Sequence, residues 1–312
     1  MSTKITDIIE PAVFAAYVRQ QIIAKSALIA SGLYTASDKL NTLVSGGGRT
    51  INMPFWKRLG GDSEILSDEN PLTPDKIGTG KDVAALHLRG KAWGANELAS
   101  SIAGDSALDA IASMVAEWWN REDQKILIAT LIGMFASSTM QSHTFGNGTK
   151  QIDAEMTLDA RQLLGDAADQ LALALVHSQT YTRLKKLNLI ESIPDARGEI
   201  AFETYLGYRI VEDDSLPVAD GVYSSYLMAR GVVGRGEGTP VDFTPVETDR
   251  DSLLGEDILI HRRAFVMHPL GVAWIGTAAG ATPTNAELRT GANWSRVYDP
   301  KHLGFIEIKH TV

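Results

Sequence analysis

The chain has 312 residues, 44% of them hydrophobic and 21% charged, with a formal net charge of −9. These proportions suit a globular protein of one large domain or two, and the acidic balance argues against tight phosphate contact over the whole surface. The absence of Cys excludes disulfides, thiolate nucleophiles and Cys-ligated metals, and it fits a reducing compartment.

Residues 4–30 read as a helical arm with a loose apolar stripe of Ile8, Ile9, Val13, Tyr17, Ile22 and Ile23. Asp7, Glu10 and Arg19 interrupt any signal-peptide core, and Pro11 is tolerable only near a helix start. Gly32, Asp38 and Gly46-Gly47-Gly48 then break the pattern. No Lys-Ser or Lys-Thr follows the triple glycine, so it reads as a hinge rather than a phosphate cradle.

Ile51, Met53 and Phe55 alternate with Thr50, Asn52 and Pro54, which predicts an edge strand. After a Gly-, Pro- and Asp-rich stretch the chain returns through Ala84, Leu86 and Leu88, alternating with Ala85, His87 and Arg89. A lone two-stranded hairpin is marginal in water. Neither the hairpin nor the arm has apolar surface for a core of its own, so both are expected to lie on a neighbouring subunit. The alternative is a hairpin folded back on its own body.

Asp105–Phe135 predicts a single helix of roughly 45 Å at about 1.5 Å per residue. Leu108, Ile111, Val115, Trp118, Trp119, Ile126, Leu127, Leu131 and Phe135 recur at helical spacing, and Asp105 or Ser106 can cap its start. Glu117, Arg121 and Lys125 mark a solvated, charged middle. The alternative is two shorter helices broken near Asn120. The run Ile126–Ala136 is too short to span a bilayer, which needs about 20 residues.

Ser137–Ile152 reads as a polar loop, Thr157–Asp169 as a helix capped by Thr157, Leu171–Val176 as a buried strand, and Ser178 to about Leu187 as a helix. Tyr208–Val211 and Tyr226–Ala229 read as further strands, giving an α/β subdomain from Thr157 to about Thr244. The Gly-rich stretch 231–238 lacks the G-x-G-x-x-G order and reads as a loop. Asp257–His268 and Gly304–His310 are expected in a second sheet packed on the long helix.

No catalytic motif is present: no G-x-S-x-G, no H-E-x-x-H and no Walker A sequence. His87, His143, His177, His261, His268, His302 and His310 never fall at metal-ligand spacing, and His177 and His268 read as packed or hydrogen-bonded residues. Glu212-Asp213-Asp214 reads as a wet turn that caps a strand, and the Trp118-Trp119 pair with Trp93 as core or interface anchors. Arg262-Arg263 and Lys185-Lys186 read as solvated faces or intersubunit ion pairs. No catalytic, cofactor-binding or metal-ligating residue is assigned, no cofactor is expected, and the chain is not expected to be an enzyme.

The order of these parts resembles the tailed-phage major capsid proteins with the HK97-type fold. KAWGANELASSIAGDSALDAIASMVAEWWNREDQKILIATLIGMF resembles the family's strand-to-spine segment. LALALVHSQTYTRLKKLNLI and LGYRIVEDDSLP resemble its axial-domain strand, helix and turn, while YSSYLMARGVVGRGEG and RDSLLGEDILIHRRAFVMHPLGVAWI resemble the return to its peripheral domain. The resemblance implies an α+β fold with an N-terminal arm (1–45), an extended β-hairpin loop (46–95), a peripheral domain with a spine helix (96–156), an axial domain (157–245) and a return to the peripheral domain (246–312). It implies hexamers and pentamers of one chain in an icosahedral shell around double-stranded DNA, which the acidic surface contacts weakly. A portal and decoration proteins are further implied partners; because the chain begins directly with its arm, a separate scaffolding protein, or none, is expected. Neither membrane nor cofactor is implied; the protein would be assembled in the bacterial cytoplasm and reside in the virion. Some relatives cross-link Lys to Asn, but Lys57, Lys76 and Lys81 have no placeable acidic partner. The alternatives are an encapsulin-type compartment shell, a ring-forming tail or connector protein, and a soluble α/β enzyme with its site near His177 and Glu212-Asp213-Asp214.

Overall fold

Ile126, Leu127, Ile128, Ala129, Leu131, Met134 and Phe135 leave the second half of the long helix without a polar face, so it must be surrounded. The computed structural model, described over residues 31–65, 74–97, 107–194 and 200–312, places this segment between two sheets. The helix, α2 (Ala107–Ala136), runs unbroken past Asn120 for 30 residues. Its expected caps Asp105 and Ser106, and the arm over residues 4–30, lie outside the described residues.

The first sheet has six strands. β1 (Tyr34–Ala36), β11 (Val233–Gly238), β13 (Glu256–Pro269), β3 (Thr79–Asn96) and β2 (Thr50–Trp56) follow in that order, and β12 (Val246–Asp251) pairs with β13. The expected hairpin is therefore β2–β3, with Thr50 opposite Ala85 and Trp56 opposite Thr79. It does not depend wholly on a neighbour. β3 also pairs antiparallel with β13 from Glu256–Asn96 to Val266–Leu86, so the hairpin base belongs to its own subunit's sheet. There both faces are covered. Ala85 faces the α2 core, while Ala84, Leu86 and Ile51 pack under α1 (Asp38–Ser45) with Leu40 and Val44.

One expectation fails in this region: the supposed loop 231–238 contains strand β11. A Cβ on Gly236 would fall 2.7 Å from the Leu40 Cβ, so the glycines here admit α1 onto the strand. Glycine content was misread as loop character.

The second sheet has eight strands. Its path is β4 (Thr144–Phe145), β16 (Phe305–His310), β10 (Val222–Ala229), β5 (Leu171–Val176), β8 (Tyr208–Glu212), β7 (Ile200–Tyr205) and β6 (Ile190–Pro194), with β9 (Val218–Ala219) beside β10. The strand 305–310 thus pairs antiparallel with β10, not with the sheet of β13 as expected. Alternation explains the choice: Phe305 faces the α2 core and Ile306 and Ile308 face a second core. That second core is closed by α3 (Ala154–Arg161) and a 3-10 segment, Gln162–Gln170.

The cap of α3 is Asp153, whose carboxylate accepts the Met156 amide at 2.7 Å, and not Thr157. Thr157 is buried one turn in, with its hydroxyl 2.8 Å from the Tyr205 hydroxyl. Ser137–Ile152 likewise holds a 3-10 turn at Ser138–His143 and strand β4 rather than loop alone. Helix α4 (Ser178–Lys186) follows β5 as expected, and a short α5 (Asn285–Leu288) packs against α2.

Candidate functional site

The charged middle of α2 is not all solvated. Asp123 is buried and meets Arg235 of β11 at 2.7 Å and Arg263 of β13 at 3.2 Å. Arg263 Nε also donates to Glu237 at 2.8 Å, so two guanidinium groups meet two carboxylates and the cluster is neutral. The Arg263 guanidinium lies over the Trp119 ring at 4.8 Å and over Phe265 at 4.9 Å. Trp119 Nε1 donates to His261 Nδ1 at 2.9 Å. Burial opposes the Arg263 charge, but Asp123 and Glu237 more than offset it and hold its pKa above the ordinary value. Arg262 and Arg263 therefore part company: Arg262 is exposed enough to pair with Glu247 at 2.8 Å, while Arg263 ties α2 to its own sheet. Trp93, Trp118 and Trp119 form an edge-to-face series on that sheet, as anchors should.

A second buried pair fixes the hairpin. His268 Nε2 meets Asp82 Oδ1 at 2.9 Å, and the other carboxylate oxygen accepts the Gly271 amide at 2.9 Å. His177 caps α4 by accepting the Gln179 amide at 3.2 Å. Both are hydrogen-bonded residues, as read from the sequence.

Four of the remaining histidines are scattered through the cores. Burial, with Arg89 and His268 adding, pushes the His87 imidazole down to about 3. Burial and Arg263 push His261 down to about 4, and burial pushes His310 down to about 4 beside Ser225. Burial also lowers His143, whose Nδ1 meets the Phe305 carbonyl at 2.9 Å. His302 is exposed.

Glu212-Asp213-Asp214 is a turn, though not a wholly wet one. Asp213 is buried, accepting from the Ser215 amide at 2.8 Å and from Gln124 of α2. Asp214 is exposed and accepts the Ser178 amide at 3.2 Å. Lys185 pairs with Glu203 at 3.4 Å, and Lys186 is exposed. Among the described residues no group of three or more His, Asp or Glu could hold a metal ion. Of the histidines and carboxylates singled out in the sequence, His177 and Asp214 meet, Nδ1 to Oδ1 at 3.7 Å, where both cap the start of α4 at the surface; the others are spread over cores, turns and latches.

What the molecule does present is uncovered apolar surface at the ends of its hairpins. Beyond the base of β2–β3, Trp56 is 68%, Leu59 76%, Ile65 95% and Ile77 50% exposed. In the β12–β13 turn Leu253 is 97% and Leu254 65% exposed. Periodicity could not have found the latter pair, because Ser252-Leu253-Leu254-Gly255 reads as an ordinary turn. Lys57, Lys76 and Lys81 are exposed along the same hairpin.

A family model described as Gp13-like, major capsid protein 13-like, matches residues 96–304, and the chain belongs to that family. The major capsid protein of Bacillus phage SPP1 is 43% identical over 319 residues, covering 99% of this chain and 98% of that protein. The fold is shared with solved phage capsids. The capsid of Ralstonia phage GP4 matches with a TM-score of 0.60 at 9% identity, over 91% of each chain. The capsid of cyanophage P-SCSP1u matches with a TM-score of 0.58 at 11% identity, over 92% of this chain and 89% of that one. The protein is a phage major capsid protein, a structural component of the virion and not an enzyme. These matches do not favour the encapsulin-type reading, and they set aside the enzyme reading.

Proposed function

We propose that copies of this chain close into an icosahedral shell of hexamers and pentamers that encloses the double-stranded DNA of a tailed phage. The observation that carries this reading is the pair of apolar hairpin ends, which have no cover among the described residues. Apolar surface of that kind is stabilised when a neighbour removes it from water, at about 25 cal/mol per Å². The HK97-type plan supplies the parts: arm at 1–45, extended loop at 46–95, peripheral domain with α2 as spine at 96–156, axial domain at 157–245, and a peripheral return from 246. Strand β16 would then belong to the axial domain, since it pairs with β10.

A net charge of −9 suits a container that confines DNA without gripping it. A separate scaffolding protein, a portal and decoration proteins are the expected further partners, with assembly in the host cytoplasm. The reading involves no catalytic, cofactor-binding or metal-ligating residue and no covalent cross-link.

The test is negative-stain electron microscopy of the purified full chain, with light scattering for mass. Closed shells of uniform size are the expected outcome. Small oligomers alone, at every ionic strength and with or without a candidate scaffold, would overturn the reading.

A further inference from the structure

The exposed turn between β12 and β13 is a rigid knob. Asp251 Oδ1 accepts the amides of Leu253, at 2.9 Å, and of Leu254, at 3.3 Å. Gly255 completes the turn at φ +63°, a left-handed conformation that favours glycine, and its carbonyl accepts the Glu97 amide at 2.8 Å. Two leucines are thus held in water on a fixed backbone, so docking them would cost little ordering entropy. The knob is acidic. Asp249, Asp251 and Glu256 flank the leucines, while the nearby cation Arg250 is already tied to Glu97 and Asp257.

At the far end of the same sheet lies a cavity of about 460 Å³, bounded by Trp56, Lys57, Arg58, Tyr298, Asp299 and His302. Phe55 meets Tyr298 edge to face behind it, at 4.8 Å. Lys57 and Arg58 are exposed and make no ion pair among the described residues. They outweigh the single carboxylate, Asp299, so the cavity is an aromatic pocket with a cationic rim.

Knob and pocket cannot meet within one chain. Trp56 pairs with Thr79 at one end of β3, and Glu256 pairs with Asn96 at the other. At about 3.3 Å per residue that strand, 18 residues long, separates them by up to ~55 Å.

We propose that the Leu253-Leu254 knob of one subunit inserts into the Trp56–Tyr298 pocket of a second copy, with Asp249 and Glu256 against Lys57 and Arg58. The contact joins two different patches head to tail, so it propagates from copy to copy as a closed shell requires. This inference rests on the capsid reading above.

The test compares four forms of the full chain for sedimenting particles: wild type, Lys57→Glu/Arg58→Glu, Asp249→Lys/Glu256→Lys, and the combination of all four substitutions. Asp251 is left intact because it holds the turn. Each reversed pair should lose its particles while its thermal melt stays at the wild-type temperature, and the combination, whose charges match again, should regain them. Normal particles from either reversed pair would overturn the contact, and so would a combination that stays unassembled. Should a reversed pair melt early, Leu253→Ser/Leu254→Ser replaces it. Both leucines are exposed, and particles from that variant would equally overturn the proposal. Failure of the wild type to form shells at every ionic strength, with or without a candidate scaffold, is a different result: it refutes the closed-shell reading above, on which this contact rests.

Discussion

Arg263 is where the long helix is locked to the first sheet, and its surroundings determine what its loss would do. Replacing it by Met leaves Asp123 buried against Arg235 alone and removes the Nε donor that Arg263 gives Glu237. Removing one partner of a buried ion pair costs about 3–5 kcal/mol, far more than the loss of a surface pair. Urea unfolding of Arg263→Met should show that loss, whereas Arg262→Met, at the exposed Glu247 pair, should fall within about 1 kcal/mol of wild type. Three buried histidines make a second prediction at this scale. His87, His261 and His310 sit at about 3, 4 and 4, against 6.5 for the free side chain. Below pH 6.5 the unfolded chain binds protons that the folded chain refuses, so stability falls as pH falls. Each histidine contributes a slope of up to about 1.4 kcal/mol per pH unit until its own folded pKa is reached. Chemical unfolding at pH 7, 6, 5 and 4.5 should therefore show steeply declining stability; a flat profile would contradict burial of these rings. None of this was visible along the chain. Asp123 lies 112 residues from Arg235 and 140 from Arg263, so local charge patterning gave it the solvated character of Glu117.

Among the elements, α2 was the most readable and remains the most sensitive. Its apolar spacing, and its lack of proline and of glycine before Gly133, made it a single helix in the sequence, which it is in the fold. Ala129→Pro would remove a ladder hydrogen bond where the helix is enclosed by both sheets, at a cost of about 3 kcal/mol or more, and should leave no soluble folded protein. Gly133→Ala tests a close approach instead. A Cβ there would collide with the Leu288 carbonyl oxygen of α5 and come within 2.7 Å of Trp294 Nε1. Both are held in place, since that indole donates to that carbonyl at 2.7 Å, so the variant should melt well below wild type although alanine is the better helix former. The β2–β3 hairpin was equally plain from alternation, but its role was only half inferred. Pattern alone could not reveal that β13, some 170 residues later, would pair with β3. Deleting residues 60–76 spares both paired strands and the Asp82–His268 latch, so the truncated chain should melt like wild type. By the proposed function it should nevertheless fail to close shells, which electron microscopy of the same sample would show.

At the scale of the whole molecule, the closing strand decides whether there is a fold at all. β16 lies inside the eight-stranded sheet, between β4 and β10, although it is the last strand of the chain. Its Phe305, Ile306 and Ile308 are 0–1% exposed and supply both faces of that sheet, one to the α2 core and the other to the core under α3. Burying three such side chains contributes about 1.5–3 kcal/mol each. Their sum is comparable with the whole net stability of a typical domain, about 5–15 kcal/mol. Removing residues 305–312 would also strip the ladder partner from β10 and the carbonyl that His143 meets, leaving strand edges and apolar faces open together. The truncated chain should therefore be recovered in the insoluble fraction, and far-UV circular dichroism of any soluble remainder should show no cooperative melt. A soluble truncation with a wild-type melt would mean that the two sheets are stable apart. If the truncation fails as argued, the second sheet cannot close until residues 305–310 have been made.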